Sequence, residues 1–289
     1  MKVLHKVTLI SVCFFLAIAF LTNTVDAVKP YTANGRIFYK STSGGVINIA
    51  SMTKNGQDKK IITNNDGFYD YPFLVISPNG KKLAYIVKDL NTYQYSAYVV
   101  NDDGSNAKEI IPAGNNINSL AWSPDGEKIA YDSSDELGYS YVKTVGVNTP
   151  SSATLPIDLS EDEYRYEEIL NIAWSINDNL ALILSSNLIY SVGTNGSNLQ
   201  VLTSDGSWPN SRPTSVAWSP DGKKIVFTAD ECGSPKSCIV TMNANGSNKN
   251  TIINRTERSK DDSGYILYPV NASWSPDGKK IIFAKKTDG

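Results

Sequence analysis

Apolar and polar positions alternate along this chain in short runs, each cut by a cluster of Ser, Pro, Asp, Asn and Gly, which is the pattern of antiparallel strands joined by tight turns. The stretch from Ser215 to Ile253 shows the unit most clearly. Ser215-Val-Ala-Trp218 reads as a first strand, ended by Pro220-Asp-Gly222, where proline presets its own φ and glycine accepts a positive one. Lys224-Ile-Val-Phe-Thr228 returns as a second strand and Cys238-Ile-Val-Thr-Met242 reads as a third. Asn245-Gly246 is a strong hairpin signal, and Thr251-Ile-Ile253 closes the unit as a fourth strand. The pattern predicts a four-stranded antiparallel meander, and no segment shows a helical period.

The unit recurs. Its turn appears as Trp122-Ser-Pro-Asp-Gly126, Trp218-Ser-Pro-Asp-Gly222 and Trp274-Ser-Pro-Asp-Gly278, with weaker copies at Ile76-Ser-Pro-Asn-Gly80 and Trp174-Ser-Ile-Asn-Asp178. The aligned serines Ser77, Ser123, Ser175, Ser219 and Ser275 lie 46, 52, 44 and 56 residues apart. A period of about 40 to 50 residues, each unit holding several short strands, is the signature of a β-propeller blade. One meander cannot bury both of its faces, so several must stack around an axis. Trp122, Trp174, Trp218 and Trp274 share one phase of the repeat and are expected in the packing between blades. Asn34-Gly-Arg-Ile-Phe-Tyr39 matches a second strand, and the chain from Trp274 to Ala284 supplies only a first and a second. The expected fold is therefore an all-β propeller, six-bladed with an incomplete last blade. The alternative is a five-bladed ring in which the terminal first strand completes the first blade. In either ring the terminal strands are expected to meet.

These turns resemble the TolB-type propeller repeat, in which Trp-Ser-Pro-Asp-Gly-Lys leads into an apolar strand and an Asn-Gly-Ser-Asn type turn follows. The resemblance extends over residues 34 to 284. It implies a propeller of the cell envelope, here expected without the N-terminal α/β domain that TolB itself carries. The repeat is also similar to the propellers of prolyl-oligopeptidase-type peptidases. No G-x-S-x-G elbow occurs, so that activity is not expected.

Composition narrows the function. The 289 residues are 41% hydrophobic with a formal net charge of −2, which excludes the basic surface that a nucleic-acid binder needs. Lys2, Lys6, the apolar run Val7 to Leu21 and Val25-Asp26-Ala27 read as a secretory signal, residues 1–27, with the propeller domain occupying 28–289. The address is then periplasmic or secreted, with no membrane span after cleavage. His5 lies inside the signal and is the one histidine, so a Ser-His-Asp or Cys-His mechanism is not available to the mature chain. Cys232 and Cys238, an even pair in an exported chain, read as a disulfide closing a small loop. No cofactor and no metal site are expected. The stretch Asn64-Asn-Asp-Gly67 with Asp70 is a weak match to a calcium loop, and Asn195, Asn245, Asn254 and Asn271 match N-x-S/T.

In an up-and-down blade, the turns joining first to second and third to fourth strands share one face of the disc. That face carries the near-identical Ser-Pro-Asp-Gly and Asn-Gly turns, which turn chemistry accounts for. The other face carries loops that differ in every unit, and binding residues concentrate on irregular loops held by a rigid scaffold. Trp208 stands outside the repeat phase and is the leading contact candidate. Tyr69, Tyr93, Tyr164, Tyr166 and Tyr265 place further aromatics among charges, and Glu161 with Glu163 forms an acidic cluster facing a basic partner or solvent. The reading is a non-catalytic, exported scaffold that binds another protein of the envelope or extracellular space through this loop face. The alternative is a carbohydrate-binding or carboxylate-based glycan-active propeller, with Asp70, Glu168 and Asp262 as candidate carboxylates.

Overall fold

The structure, a computed structural model, describes residues 36–43, 46–53, 55–64, 69–135, 138–157, 159, 167–203, 212–230, 237–254 and 267–287. The first sheet holds β1 (Arg36–Ser43), β2 (Val46–Thr53) and β3 (Lys60–Ile61). The second holds β4 (Tyr69–Ile76), β5 (Lys82–Asp89), β6 (Tyr95–Asn101) and β7 (Lys108–Asn115). The third holds β8 (Leu120–Trp122), β9 (Lys128–Ser134), β10 (Ser140–Gly146) and β11 (Ser152–Thr154), and the fourth β12 (Ile169–Trp174), β13 (Asn179–Leu184), β14 (Ile189–Gly193) and β15 (Gln200–Val201). The fifth holds β16 (Arg212–Trp218), β17 (Lys224–Asp230), β18 (Ser237–Asn243) and β19 (Asn250–Asn254). A hairpin of β20 (Leu267–Trp274) and β21 (Ile281–Thr287) follows. Strands pair antiparallel with their sequence neighbours, so the fold is an all-β propeller of small meanders. The described residues form five blades of three or four strands, the number the alternative reading gave, and the two-stranded unit β20–β21 does not make a sixth full blade. Among the described residues the first blade has no strand equivalent to β4, and β20 pairs with β21 in a sheet separate from that of β1.

Each central strand is apolar on both sides because each side faces a different blade. In β17, Ile225, Phe227 and Ala229 pack towards the fourth blade, whereas Val226 packs towards the last hairpin. In β13, Leu180, Leu182 and Leu184 meet the third blade, and Ala181 and Ile183 meet the fifth. The core is thus a series of seams between consecutive sheets, from Phe38 and Ile49 against Leu83 and Tyr85 to Val226 and Ile239 against Trp274 and Phe283.

Buried serines organise the repeated turns. Ser123 Oγ donates to Asp125 Oδ1 at 2.5 Å and accepts the Lys128 N–H at 2.9 Å, and Asp125 Oδ1 also accepts the Glu127 N–H. Ser219 with Asp221 and Ser275 with Asp277 repeat the arrangement, and Asn79 takes the aspartate's place beside Ser77. The hydroxyl bond, followed by the N–H bond, holds the Asp125, Asp221 and Asp277 carboxyls below their ordinary range. Their contribution to stability is therefore present above the unfolded value and is lost as pH falls through the lowered ones.

These turns also bear on the neighbouring blade, a role that turn chemistry alone did not predict. A Cβ added at Gly104 or Gly246 would sit 2.9 Å from the carbonyl oxygen of Ile62 or Leu202 in the preceding unit, and one at Gly196 would collide with the Pro156 carbonyl. On the Ser-Pro-Asp-Gly turns, Gly126 lies over Pro78 and Gly278 over Pro220, each from the preceding turn. The tryptophans lie in the seams as expected, and two of them also cross a seam with a hydrogen bond. Trp122 Nε1 donates to Val75 O at 3.3 Å and Trp218 Nε1 donates to Ala173 O at 3.2 Å.

The seam contact separates from backbone strain in a pair of substitutions. Gly56 (φ 79°) and Gly246 (φ 81°) have nearly the same backbone, but a Cβ at Gly56 meets nothing within 4 Å. Gly56→Ala should cost about 1–2 kcal/mol from the left-handed conformation alone. Gly246→Ala should cost about 2–4 kcal/mol, because the clash adds to the strain. Denaturant unfolding of the two variants measures the difference.

Candidate functional site

On the loop face, two hairpins present a tyrosine beside an aspartate. In the tip between β5 and β6, Asp89 Oδ1 accepts the N–H groups of Asn91 (2.7 Å) and Thr92 (3.2 Å), while Asp89 O accepts the Tyr93 N–H. These bonds drive Tyr93 to φ 59°, a left-handed conformation uncommon for a bulky residue. Its ring is 67% exposed. The Lys88 ammonium lies 5.3 Å from the Tyr93 ring centroid and 5.6 Å from that of Tyr95, so the lysine supports both rings. The backbone hydrogen bonds from Asn91 and Thr92 hold the Asp89 carboxyl below its ordinary range.

The next blade repeats the device between β9 and β10. Asp135 Oδ1 accepts the Tyr139 N–H and Oδ2 accepts the Tyr141 hydroxyl, both at 2.9 Å. That bond raises the Tyr141 hydroxyl's pKa, and Tyr139 is left 41% exposed. Two consecutive blades therefore each display a tyrosine on a tip held by an aspartate.

A third polar group lies near the start of β8. Asp132 is only 4% exposed; Oδ1 accepts the N–H groups of Ser119 (2.7 Å) and Asn118 (2.8 Å), and Oδ2 accepts Asn118 Nδ2 at 3.0 Å. The same Asn118 Nδ2 contacts Glu168 Oε1 at 3.1 Å, and Ser119 Oγ accepts the Ile172 N–H across the seam. Thr228 holds the matching place in the fifth blade, against Ser215 and Thr214. Asp132 thus replaces strand ladder bonds where β8 is short. Burial pushes its carboxyl up to about 6 against the pull of these hydrogen bonds. The Asp132 oxygens are taken by the N–H groups of Asn118 and Ser119, and Glu168 is linked to Asp132 only through Asn118.

Of the residues singled out in the sequence, Tyr93 is exposed at a hairpin tip. Tyr69 lies in β4, where only the backbone is described, and Asp70 pairs with Lys88. Trp208, Tyr164, Tyr166, Tyr265, Glu161, Glu163, Asp262 and Cys232 lie outside the described residues. Cys238 is fully buried and disulfide-bonded. Among the described residues, no group of three or more His, Cys, Asp or Glu could hold a metal ion, and no helix is long and apolar enough to cross a membrane. Sequence reading passed over Lys88, Asp89 and Asp135. Their signal is an aspartate at or just after the end of β5 and of β9, ahead of a loop that carries a tyrosine.

With the repeat geometry in place, the family follows from a direct match: the family model of the TolB beta propeller domain covers residues 80–289. The chain belongs to this family. The Tol-Pal system protein TolB of Bordetella pertussis is 28% identical to this TolB-type propeller over 157 residues, 54% of the chain and 33% of the relative. The chain thus matches about a third of that relative's length. Among solved structures, a TolB-like protein of Agrobacterium tumefaciens has a TM-score of 0.66 at 17% identity, covering 93% of this chain and 92% of that one. TolB of Acinetobacter baumannii has a TM-score of 0.60 at 16% identity, covering 90% and 65%. An oligogalacturonate lyase of Vibrio parahaemolyticus has a TM-score of 0.63 at 10% identity, covering 91% and 88%. At these identities the structural likenesses speak to the fold alone.

Asp132 gives a pH test of this geometry. Its carboxyl resonance should titrate with a midpoint near pH 6 in the folded chain. Because its pKa is raised, the folded state binds the extra proton. This group's contribution to stability is full at pH below about 4 and is lost as pH rises through about 6. Comparing unfolding free energies at pH 4.5 and 7 between the native chain and Asp132→Asn isolates the effect, with the pH dependence flatter in the variant.

Proposed function

We propose that this TolB-type propeller is an exported, non-catalytic scaffold that binds another protein through its loop face. The observation that carries the reading is Tyr93, a largely exposed aromatic held in a left-handed conformation by its own hairpin and braced by Lys88. Such a tip costs folding energy and returns no core contact. It does provide an anchor that loses little freedom on binding. Tyr139 on the adjoining blade extends the same surface, and tyrosine suits interfaces because it combines large area with one polar handle. Trp208, Tyr69, Tyr164, Tyr166 and Tyr265, with the acidic pair Glu161 and Glu163, extend this binding face in the proposal.

The partner is a protein of the cell envelope or extracellular space, and the address is periplasmic or secreted. The basic and apolar leader ahead of Val28 supports this, as does the relative's place in a Tol-Pal system. A Cys232–Cys238 bridge fits the same compartment. With histidine confined to His5 and no nucleophile elbow, the site works by binding, without a cofactor.

Tyr93→Gly separates the two roles of this residue. It removes the left-handed strain, so stability should hold or rise by up to about 1 kcal/mol. Partner affinity should fall by about ten-fold or more, the loss expected of an interface anchor. A photo-crosslinking side chain placed at Tyr93 should capture an envelope protein of the source organism, and the same group placed at Asn245 on the turn face should not. Equal capture at both positions, or none at Tyr93, overturns the proposal.

A further inference from the structure

The seam between the third and fourth blades differs from the two seams on either side of it. At the second-to-third and fourth-to-fifth seams, a tryptophan donates to a carbonyl of the preceding blade. Trp174, at the equivalent place, instead donates to Asp178 Oδ1 of its own turn at 3.3 Å. The turn is the cause. Ser175-Ile-Asn-Asp178 is one residue shorter than the Ser-Pro-Asp-Gly turns, since Ser175 N bonds Asn179 O where Ser123 N bonds Lys128 O. Asp178, at φ 57°, takes the left-handed place that Gly126, Gly222 and Gly278 take elsewhere. The Asp178 carboxylate accepts the indole N–H that Trp122 and Trp218 send across their seams.

A half-open surface cleft of about 430 Å³ lies at this place. Pro124 and Leu155 on one side and Trp174 and Ile176 on the other form its apolar walls, and Ile176 is 60% exposed. Asp125 and Asp178 contribute carboxylates from the two turns, against the single ammonium of Lys128. Trp174 packs against the seam cluster and, being only partly buried, also lines the cleft.

We propose that this cleft is a docking site for an extended peptide segment that carries a large apolar side chain next to a lysine or arginine. The apolar side chain fills the gap beside Ile176 and Leu155. The cation lies between Asp125 and Asp178, where the excess of carboxylate over ammonium favours it. This site lies on the turn face, so it stands or falls separately from the loop-face reading, and Tyr93→Gly leaves it unchanged.

The test selects phage-displayed dodecapeptides on the chain from residue 28 onward, and screens a glycan array in parallel. Enriched peptides should share an apolar–basic pair. In synthetic form they should shift the Trp174 indole N–H resonance and bind Asp178→Asn about ten-fold more weakly, the loss of one charge-assisted contact. Replacing residues 176–178 by the Pro-Asp-Gly-Lys of the fifth blade's turn should close the seam and abolish binding. Should that replacement impair folding, as its thermal transition would show, Ile176→Ser with Asp178→Asn at exposed positions serves in its place. The proposal is overturned by the absence of enriched peptides, by enrichment without a basic residue, by binding that survives these changes, or by a glycan that moves the Trp174 resonance.

Discussion

Everything in this molecule depends on the seam between consecutive meanders. A four-stranded sheet of this size has two apolar faces and no helix to cover either, so each blade is stable only when both neighbours are present. The alternation along β13 and β17, with successive side chains committed to opposite neighbours, expresses that requirement residue by residue. A change in one seam is therefore felt by two blades.

The repeated turns belong to the same constraint. Their serines are buried and satisfy the turn's own N–H groups, and their glycines admit the carbonyl or proline of the preceding unit. The turn and the seam are one device, which explains why the turns stay nearly identical while the loops on the other face vary. Where the turn changes, at Ser175 to Asp178, the seam changes with it and the tryptophan's hydrogen bond is redirected. On the loop face the Asp89 and Asp135 hairpins are held by hydrogen bonds of their own residues. The Asp89 and Asp135 tips are two solutions to displaying a tyrosine there.

The meander, its strand order and the placement of the tryptophans were legible because they rest on local periodicity and turn chemistry, as in Ser215 to Ile253. Tyr93 was legible as an aromatic among charges. Its left-handed backbone was not, since that follows from which oxygen of Asp89 accepts which N–H. Asp132 was overlooked because a carboxylate inside an apolar strand acquires meaning only when Asn118 and Ser119, from the segment ahead of β8, are brought to it.

The sequence by itself determined that this chain is a propeller of repeated β-meanders, because a period of aligned Ser-Pro-Asp-Gly turns leaves strands that are apolar on both sides and must stack. Only the tertiary structure decided how the units meet: which carbonyl each tryptophan reaches, which glycine is pressed by a neighbour, and where one seam opens. These are contacts between residues some 45 to 50 positions apart. Their geometry depends on how blades pack against each other, which no local pattern within one blade encodes.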